Sequence, residues 1–391
     1  MNASLELQSF LNQNTDNYRI MHSKKKEIKY LKLFDEFTFS NVYTENYKVC
    51  IKKEDMNYSI ESNDVSYIIN RIEEWLINPS ISDTIIWYDI TEYNHQEESL
   101  LRRNKRILEM FDFKLYHKWL DSVSETVDDK QSFQYYFEAD MIELTLKGSN
   151  KREQYLVKSQ MLHYDSVTSK FIINKNNIFL NEQIPKEKDK NKKIDEILSD
   201  KNIKYIEINS KIITELLQPV LENFKGENVL GLNSFLKKSS LGVPWLDNHV
   251  SIYAKSKLSF DTEGLPKKKI SIIKKGVITN FMNTSYAMCL LGSNSCGFSE
   301  FEQGDYNGYD ETEYEIEVPL GSHNSHCSLV TVDMPFISVE EDVIKVQVKV
   351  DVFHDSILYE GAIVFDFKEF MNHLSKSEHG FFIKKDIISL T

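Results

Sequence analysis

The stretch Ser259–Ala287 reads SFDTEGLPKKKISIIKKGVITNFMNTSYA, and it sets the first expectation for the fold. It begins with an acidic turn that ends at Gly264. Two short runs rich in β-branched residues follow, Lys269–Ile273 and Val277–Phe281, and a short Lys-Lys-Gly loop joins them. Such runs joined by a loop that ends in glycine predict a β-hairpin, with Gly276 in the left-handed conformation.

The bulk composition is that of a globular protein large enough for two domains. The chain has 391 residues, of which 41% are hydrophobic and 27% charged, and a net charge of −13. A net negative charge supplies no basic excess to neutralise phosphates, so we expect no nucleic-acid partner. No apolar run reaches the length of a membrane span, and the first residues do not resemble a signal peptide. We therefore expect a cytoplasmic protein without membrane association, with four reduced cysteines.

Hydrophobic periodicity outside the hairpin predicts both helices and strands. Apolar residues at helical spacing indicate helices over Ser66–Asn78 and Asn209–Phe224, with Pro219 expected to kink or split the second. The segment Ile344–Val352 alternates completely between apolar and polar residues, which predicts a strand with one buried face. The other predicted elements are strands at Thr84–Tyr88, Ser132–Leu146, Glu153–Leu162 and Ala362–Phe367, and helices at Glu98–Phe111 and Lys368–Leu374.

These elements predict an α+β protein with two domains. Residues 1–195 form a mixed N-terminal domain of helices and antiparallel sheet, and residues 196–391 form a β-rich C-terminal domain. Near the boundary, residues 184–196 are highly charged and poor in apolar side chains, which is typical of a linker or exposed loop.

The hairpin and its flanks resemble the TldD/PmbA family of peptidases, whose members mature or degrade peptides. The convincing part of the resemblance covers about residues 211 to 298. The family pattern consists of an F-D-x-E-G turn, a strand, a glycine before an aromatic residue, and Y-x-A, with G-x-x-V and S-F-L segments upstream. The matching residues are Phe260, Asp261, Glu263, Gly264, Gly276, Phe281, Tyr286, Ala287, Gly226, Val229, Ser234, Phe235 and Leu236.

One motif of the catalytic branch of this family has no counterpart here. That branch carries a zinc-binding H-E-x-x-x-H on the helix before the S-F-L segment, where two imidazoles hold the metal and a carboxylate accepts a proton. The corresponding positions are Gln218, Pro219 and Asn223, and no histidine lies between His163 and His249. None of the ten histidines in the chain is followed by glutamate.

The resemblance therefore implies the PmbA/TldE type of subunit, which lacks the zinc motif. Such a subunit has no catalytic residues of its own and pairs with a zinc-bearing TldD-like partner, so zinc is expected in the partner. It would hold its peptide substrate as an extended strand. We expect a dimer, either with that partner or with a second copy of the chain.

Two other groups of residues leave alternatives open. Asp261 and Glu263 could act as a general acid and base, but a turn whose carboxylates accept backbone N–H groups is the favoured interpretation. His323, His326 and Cys327 have the residue types of a metal site, although an ordinary polar loop is favoured there. The rival functions are a stand-alone peptide-binding or peptide-tailoring protein without peptidase activity, and an enzyme with an atypical site. The motif residues with a substrate-contacting or structural role are Phe260, Asp261, Glu263, Gly264, Gly276 and Tyr286.

Overall fold

The computed structural model of the chain describes two compact units, and each is α+β. The N-terminal unit consists of Met1–Ile184, Lys257–Pro266 and Glu300–Asp310, and the C-terminal unit of Pro185–Ser256, Lys267–Ser299 and Glu311–Thr391. Each unit therefore contains segments that are separated in sequence. The described residues are 3–33, 36–79, 82–83, 85–87, 133–148, 151–165, 170–175, 192–256, 258–292, 297–299, 312–321, 327–355, 357–377 and 380–390.

The N-terminal unit is built on an antiparallel sheet of six strands in the order β3-β2-β1-β4-β5-β6. Two helices, α1 and α2, contribute apolar residues such as Leu7, Leu11, Ile68 and Ile72 to one core with the sheet. The Asp64 side chain caps α2 by accepting the Ser66 and Tyr67 backbone N–H groups. The bounds are α1 Ala3–Asn14, β1 Asn17–Leu33, β2 Glu36–Lys53, β3 Met56–Ser62, α2 Val65–Ile77, β4 Phe133–Leu146, β5 Arg152–Asp165 and β6 Lys170–Lys175.

The C-terminal unit contains two sheets and the remaining described helices. A four-stranded sheet has the order β11-β10-β9-β12, and an eight-stranded sheet has the order β16-β17-β8-β13-β14-β15-β18, with β7 paired to β15. The strand bounds are β7 Lys192–Lys193, β8 Tyr205–Asn209, β9 Ser251–Ser256, β10 Ile270–Lys274, β11 Val277–Ile278, β12 Thr312–Glu317, β13 Cys327–Glu340, β14 Val343–His354, β15 Ile357–Asp366, β16 Ser375–Lys376, β17 Gly380–Lys384 and β18 Ser389–Leu390. The helix bounds are α3 Ile194–Ser199, α4 Ser210–Leu221, α5 Gly226–Leu230, α6 Ser285–Leu291 and α7 Phe367–His373.

Helix α4 and strand β14 supply much of the core of the C-terminal unit. Residues 344, 346, 348, 350 and 352 of β14 are all buried valines or isoleucine, and the residues between them face outward, as alternation predicts. In α4 the apolar face formed by Ile213, Leu216 and Leu217 is buried in the same core. Pro219 does not split α4, which continues to Leu221 and then tightens into a 3-10 turn. The proline removes only the hydrogen bond that its own N–H would have donated to the carbonyl four residues earlier.

Most of the predicted elements are present. The helices at 66–78 and 209–224 and the strands at 132–146, 153–162, 344–352 and 362–367 are confirmed within a few residues. The strand predicted at Thr84–Tyr88 is wrong where the structure describes it, because residues 85–87 have no strand pairing. The helix predicted at Glu98–Phe111 and residues 184–191 of the charged linker lie outside the described residues. Across the described ranges, no helix is both long and apolar enough to cross a membrane.

Candidate functional site

The acidic turn of the F-D-x-E-G motif belongs to the N-terminal unit, although both flanks of the turn belong to the C-terminal unit. Asp261 is fully buried, and its Oδ1 accepts the backbone N–H groups of Glu263 and Leu265, both at 2.9 Å. The Gly264 N–H donates to the Asp261 carbonyl at 2.9 Å, and Gly264 has a φ of +69°. These are the contacts expected of a carboxylate that organises a turn. The two backbone hydrogen bonds occupy Asp261 Oδ1, which a general acid or base would use for proton transfer.

The N-terminal sheet holds this turn by its backbone. The buried side-chain amide of Gln154 on β5 donates to the Phe260 carbonyl at 3.2 Å, and its oxygen accepts the Phe260 N–H at 3.4 Å. Lys48 Nζ on β2 donates to the Thr262 carbonyl at 3.1 Å. A Cβ on Gly264 would lie 2.6 Å from Cδ of Arg19, so a larger residue has no room there. The ring of Phe260 fills an apolar cluster with Met21, Ile142, Leu144, Leu146 and Leu258.

The predicted hairpin is formed by β10 and β11, with Ile273 opposite Ile278 and Lys274 opposite Val277. The turn has two residues, Lys275 with φ +49° and Gly276 with φ +77°. The left-handed Gly276 is therefore as predicted. The positive φ of Lys275 was not predicted, although a two-residue hairpin turn of this class needs a positive φ at both positions.

Two further family segments pack together in the C-terminal unit. The Gly226 N–H donates to the Met282 carbonyl at 2.7 Å. A Cβ on Gly226 would lie 2.1 Å from Asn283 Oδ1 and 2.9 Å from the Ala287 Cβ, which explains the need for glycine. Tyr286, the tyrosine of the Y-x-A pattern, is 60% exposed on α6, so it does not serve the core.

Asn223, which the sequence resemblance aligns with the second histidine of the catalytic branch, has a structural role here. Its Nδ2 donates to the Pro219 carbonyl at 2.8 Å, and its Oδ1 accepts the Phe235 N–H at 3.2 Å. The Ser234 hydroxyl donates to the Asn223 carbonyl at 2.8 Å. The side-chain amide of Asn223 thus connects the end of α4 to the S-F-L segment through hydrogen bonds. The residues Gln218, Pro219 and Asn223 do not fit a zinc site of the family type, because none is an imidazole, thiolate or carboxylate.

Cys327 begins β13 and lies opposite His354 of β14. His354 Nε2 is 3.4 Å from Asp355 Oδ2. Burial, reinforced by the nearby Asp355 carboxylate, raises the pKa of the Cys327 thiol to about 12. A neutral, buried thiol is a poor nucleophile and metal ligand. His323 and His326 lie outside the described residues, and within the described ranges no three acidic, histidine or cysteine side chains are arranged to hold a metal ion.

Comparison with known proteins agrees with the motifs. Residues 206–307 match the family model described as PmbA/TldA metallopeptidase C-terminal domain. This range contains α4, the S-F-L segment, the acidic turn and the hairpin. A search among curated proteins gave no match.

Solved structures share the fold over nearly the whole chain. A proposed modulator of DNA gyrase from Bacteroides thetaiotaomicron is 11% identical with a TM-score of 0.60, covering 98% of this chain and 96% of that one. A second proposed modulator of DNA gyrase, from Thermotoga maritima, is 13% identical with a TM-score of 0.60, covering 99% and 97%. TldE from Thermococcus kodakarensis is 13% identical with a TM-score of 0.54, covering 96% and 93%. The TM-scores and coverages establish likeness of fold, and residues 206–307, which match the family model, are the part of the chain that carries the ordered motifs of the TldD/PmbA family.

Proposed function

We propose that this chain is a non-catalytic, PmbA/TldE-like subunit of a two-component metallopeptidase, and that it binds an extended peptide for maturation or degradation. The observation that carries the proposal is the helix before the S-F-L segment. It has Gln218, Pro219 and Asn223 at the positions where the catalytic branch has its zinc motif, and the Asn223 amide is bonded to Pro219 and Phe235. The catalytic zinc would then be held by a TldD-like partner.

The four-stranded sheet offers a place where an extended peptide could add as a further strand. Within the described ranges, β12 pairs with β9 on one side and forms the edge of this sheet. Its glutamates at 313, 315 and 317 contact Lys255, Lys269 and Tyr253, so they are paired with their own sheet. An edge strand binds a peptide through main-chain hydrogen bonds, which depend little on the peptide sequence.

Co-expression with a TldD-like subunit tests the subunit role. We expect a stable complex with about one zinc per pair and chelator-sensitive peptide cleavage, whereas the isolated chain cleaves nothing. A matched complex in which the partner's metal-binding histidines are replaced should form but not cleave. Chelator-sensitive cleavage by the isolated chain would refute the proposal in favour of an enzyme with an atypical site. Tight peptide binding by a chain that forms no such complex would favour the stand-alone peptide-binding protein.

The mode of peptide binding can be tested with backbone-modified ligands. If the peptide adds to β12 as a strand, N-methylation at alternate residues should abolish binding in one register and leave it nearly intact in the other. This follows because successive N–H groups of a strand point to opposite edges. Equal binding of both N-methylated peptides would rule out strand addition.

A further inference from the structure

Strands β9 and β10 form a hairpin whose connecting loop belongs to the other unit. The two strands pair antiparallel in the C-terminal unit, with Ala254 opposite Ile270 and Tyr253 opposite Ser271. Between them lies the crossing loop, Lys257–Pro266, which belongs to the N-terminal unit. The chain therefore leaves the C-terminal unit at the end of β9 and returns to it before β10.

The N-terminal sheet holds the crossing loop by its backbone and by one buried ring. The buried Gln154 amide on β5 donates to the Phe260 carbonyl at 3.2 Å and accepts the Phe260 N–H at 3.4 Å. Lys48 on β2 donates to the Thr262 carbonyl at 3.1 Å. The Phe260 ring is fully buried in an apolar cluster that includes Ile142. Such contacts raise the cost of local opening, so they keep the crossing loop in one conformation.

The pairing of β9 with β10 is short, so the hairpin gains order from its held loop. Three residue pairs join the two strands, and the register shifts between Ser271 and Ile273. Short and interrupted strand pairings contribute little stability of their own. The hold on the crossing loop therefore supplies order that the pairing alone does not.

Strand β9 connects this hairpin to the edge at which peptide binding is proposed. It lies between β10 and β12 in the four-stranded sheet. Strand β12 pairs with β9 from Thr312 opposite Ser256 to Glu317 opposite Ser251. The Ser256 end of β9 is the end that leads into the crossing loop. Loss of order at that end would therefore disturb the pairing of β12.

We propose that the hold of the N-terminal sheet on the crossing loop controls peptide binding at β12. A peptide binds best to an edge that is already ordered, because ordering the edge during binding costs affinity. This inference rests on the peptide role proposed above, and it makes the N-terminal unit a regulator of that role. A ligand or a substitution that loosens the crossing loop lowers the peptide affinity. Linkage requires the converse, so bound peptide strengthens the hold on the crossing loop.

Hydrogen exchange and peptide titration of the full chain with Gln154→Leu test the proposal. Leucine removes both hydrogen bonds to Phe260 at a similar side-chain size. We expect exchange in β9 and β10 to accelerate roughly tenfold. The affinity for a blocked hexapeptide of alternating threonine and valine should fall roughly threefold or more. In the unsubstituted chain, the same peptide should slow exchange over Asp261–Leu265.

A second variant keeps the test decisive if Gln154→Leu does not fold. Lys48→Met removes the hydrogen bond to the Thr262 carbonyl from a partly exposed side chain, so the fold should tolerate it. It should accelerate exchange in β9 and β10 and weaken peptide binding, both by less than Gln154→Leu.

The matched control is Ile72→Val, which destabilises the same unit without touching the crossing loop. Ile72 is fully buried in the core between α2 and the sheet. This variant should leave the peptide affinity, and exchange in β9 and β10 without denaturant, unchanged within about 1.5-fold. Equal acceleration by Ile72→Val and Gln154→Leu would mean a general loosening of the N-terminal unit and would overturn the proposal.

The two readouts separate this inference from the peptide role. Faster exchange in β9 and β10 of Gln154→Leu, with no peptide binding by the unsubstituted chain, would support the coupling and refute the peptide role. Unchanged exchange and unchanged peptide affinity in Gln154→Leu would overturn the coupling and leave the peptide role standing.

Discussion

Replacing Gly276 with alanine should destabilise the C-terminal unit by about 3 kcal/mol, through two separable causes. The first is backbone strain, because Gly276 has a φ of +77° and an L-residue there costs roughly 1 kcal/mol. The second is a collision, because the new Cβ would lie 2.1 Å from the Leu246 carbonyl oxygen and 2.7 Å from that of Asp247. Overpacking of this kind costs about 1–3 kcal/mol.

The colliding atoms are backbone atoms, so they cannot move aside cheaply. The Gly276 carbonyl accepts the N–H groups of Trp245 and Leu246 at 2.7 and 3.0 Å, and its own N–H donates to Val250 at 2.8 Å. Relief of the collision would stretch these hydrogen bonds, so the cost of the substitution should not be reduced by relaxation.

Gly242 provides the control for strain alone. It belongs to the same unit and has a φ of +81°, but no atom lies within 4 Å of the Cβ that alanine would add. The Gly242→Ala substitution should therefore cost only about 1 kcal/mol. The difference between the two variants, about 2 kcal/mol, isolates the collision.

Hydrogen exchange at the β10–β11 hairpin, measured by mass spectrometry with and without urea, gives the free energy of opening of this unit in each variant. It avoids the assumption that the two units unfold in one step. Equal losses for Gly276→Ala and Gly242→Ala would refute the packing argument and leave backbone strain as the sole reason for glycine at position 276.

Three other measurements follow from the buried groups. Asp261→Ala should destabilise the N-terminal unit by about 2–3 kcal/mol because the N–H groups of Glu263 and Leu265 lose their acceptor, whereas Asp261→Asn, which keeps an oxygen, should cost less than half as much when hydrogen exchange is measured at β1 and β4 of that unit. At pH 8 iodoacetamide should modify the exposed Cys289 in the folded chain but Cys327 only after unfolding, since burial raises the pKa of Cys327 to about 12; rapid labelling of folded Cys327 would contradict this. Burial and Glu45 raise the pKa of Tyr47 to about 12, so the folded state retains a proton that the unfolded state loses from pH 10 upward; stability should fall between about pH 10 and 12, and less steeply in Tyr47→Phe.

Local patterns were enough to predict the elements whose cores are built from periodic apolar residues. The alternation in Ile344–Val352 and the apolar face of α4 each predict which side chains are buried, and those side chains are buried in the structure. Gly276 was predictable because hairpin turns restrict φ. The structural role of Asp261 was favoured from turn chemistry, and its hydrogen bonds are of that kind.

Contacts between residues distant in sequence could not be predicted in this way. Nothing near Gln154 indicates that its amide will bond to the backbone of Phe260, because the two positions are 106 residues apart. The same holds for His22 and Glu143, which are joined by the register of β1 and β4. The role of Asn223 carried one signal, since an asparagine at a helix end commonly bonds to nearby backbone.

The assignment of Lys257–Pro266 to the N-terminal unit limits how the protein can be divided. A fragment that stops at residue 195 would lack Phe260 and would leave Ile142 and Leu144 facing an unfilled hollow. Neither unit can therefore be separated from the other by a single chain cleavage, or moved into another protein by a single fusion. A chimera that exchanges N-terminal units between relatives would have to include Lys257–Pro266 from the same relative, or receive this segment as a separate peptide.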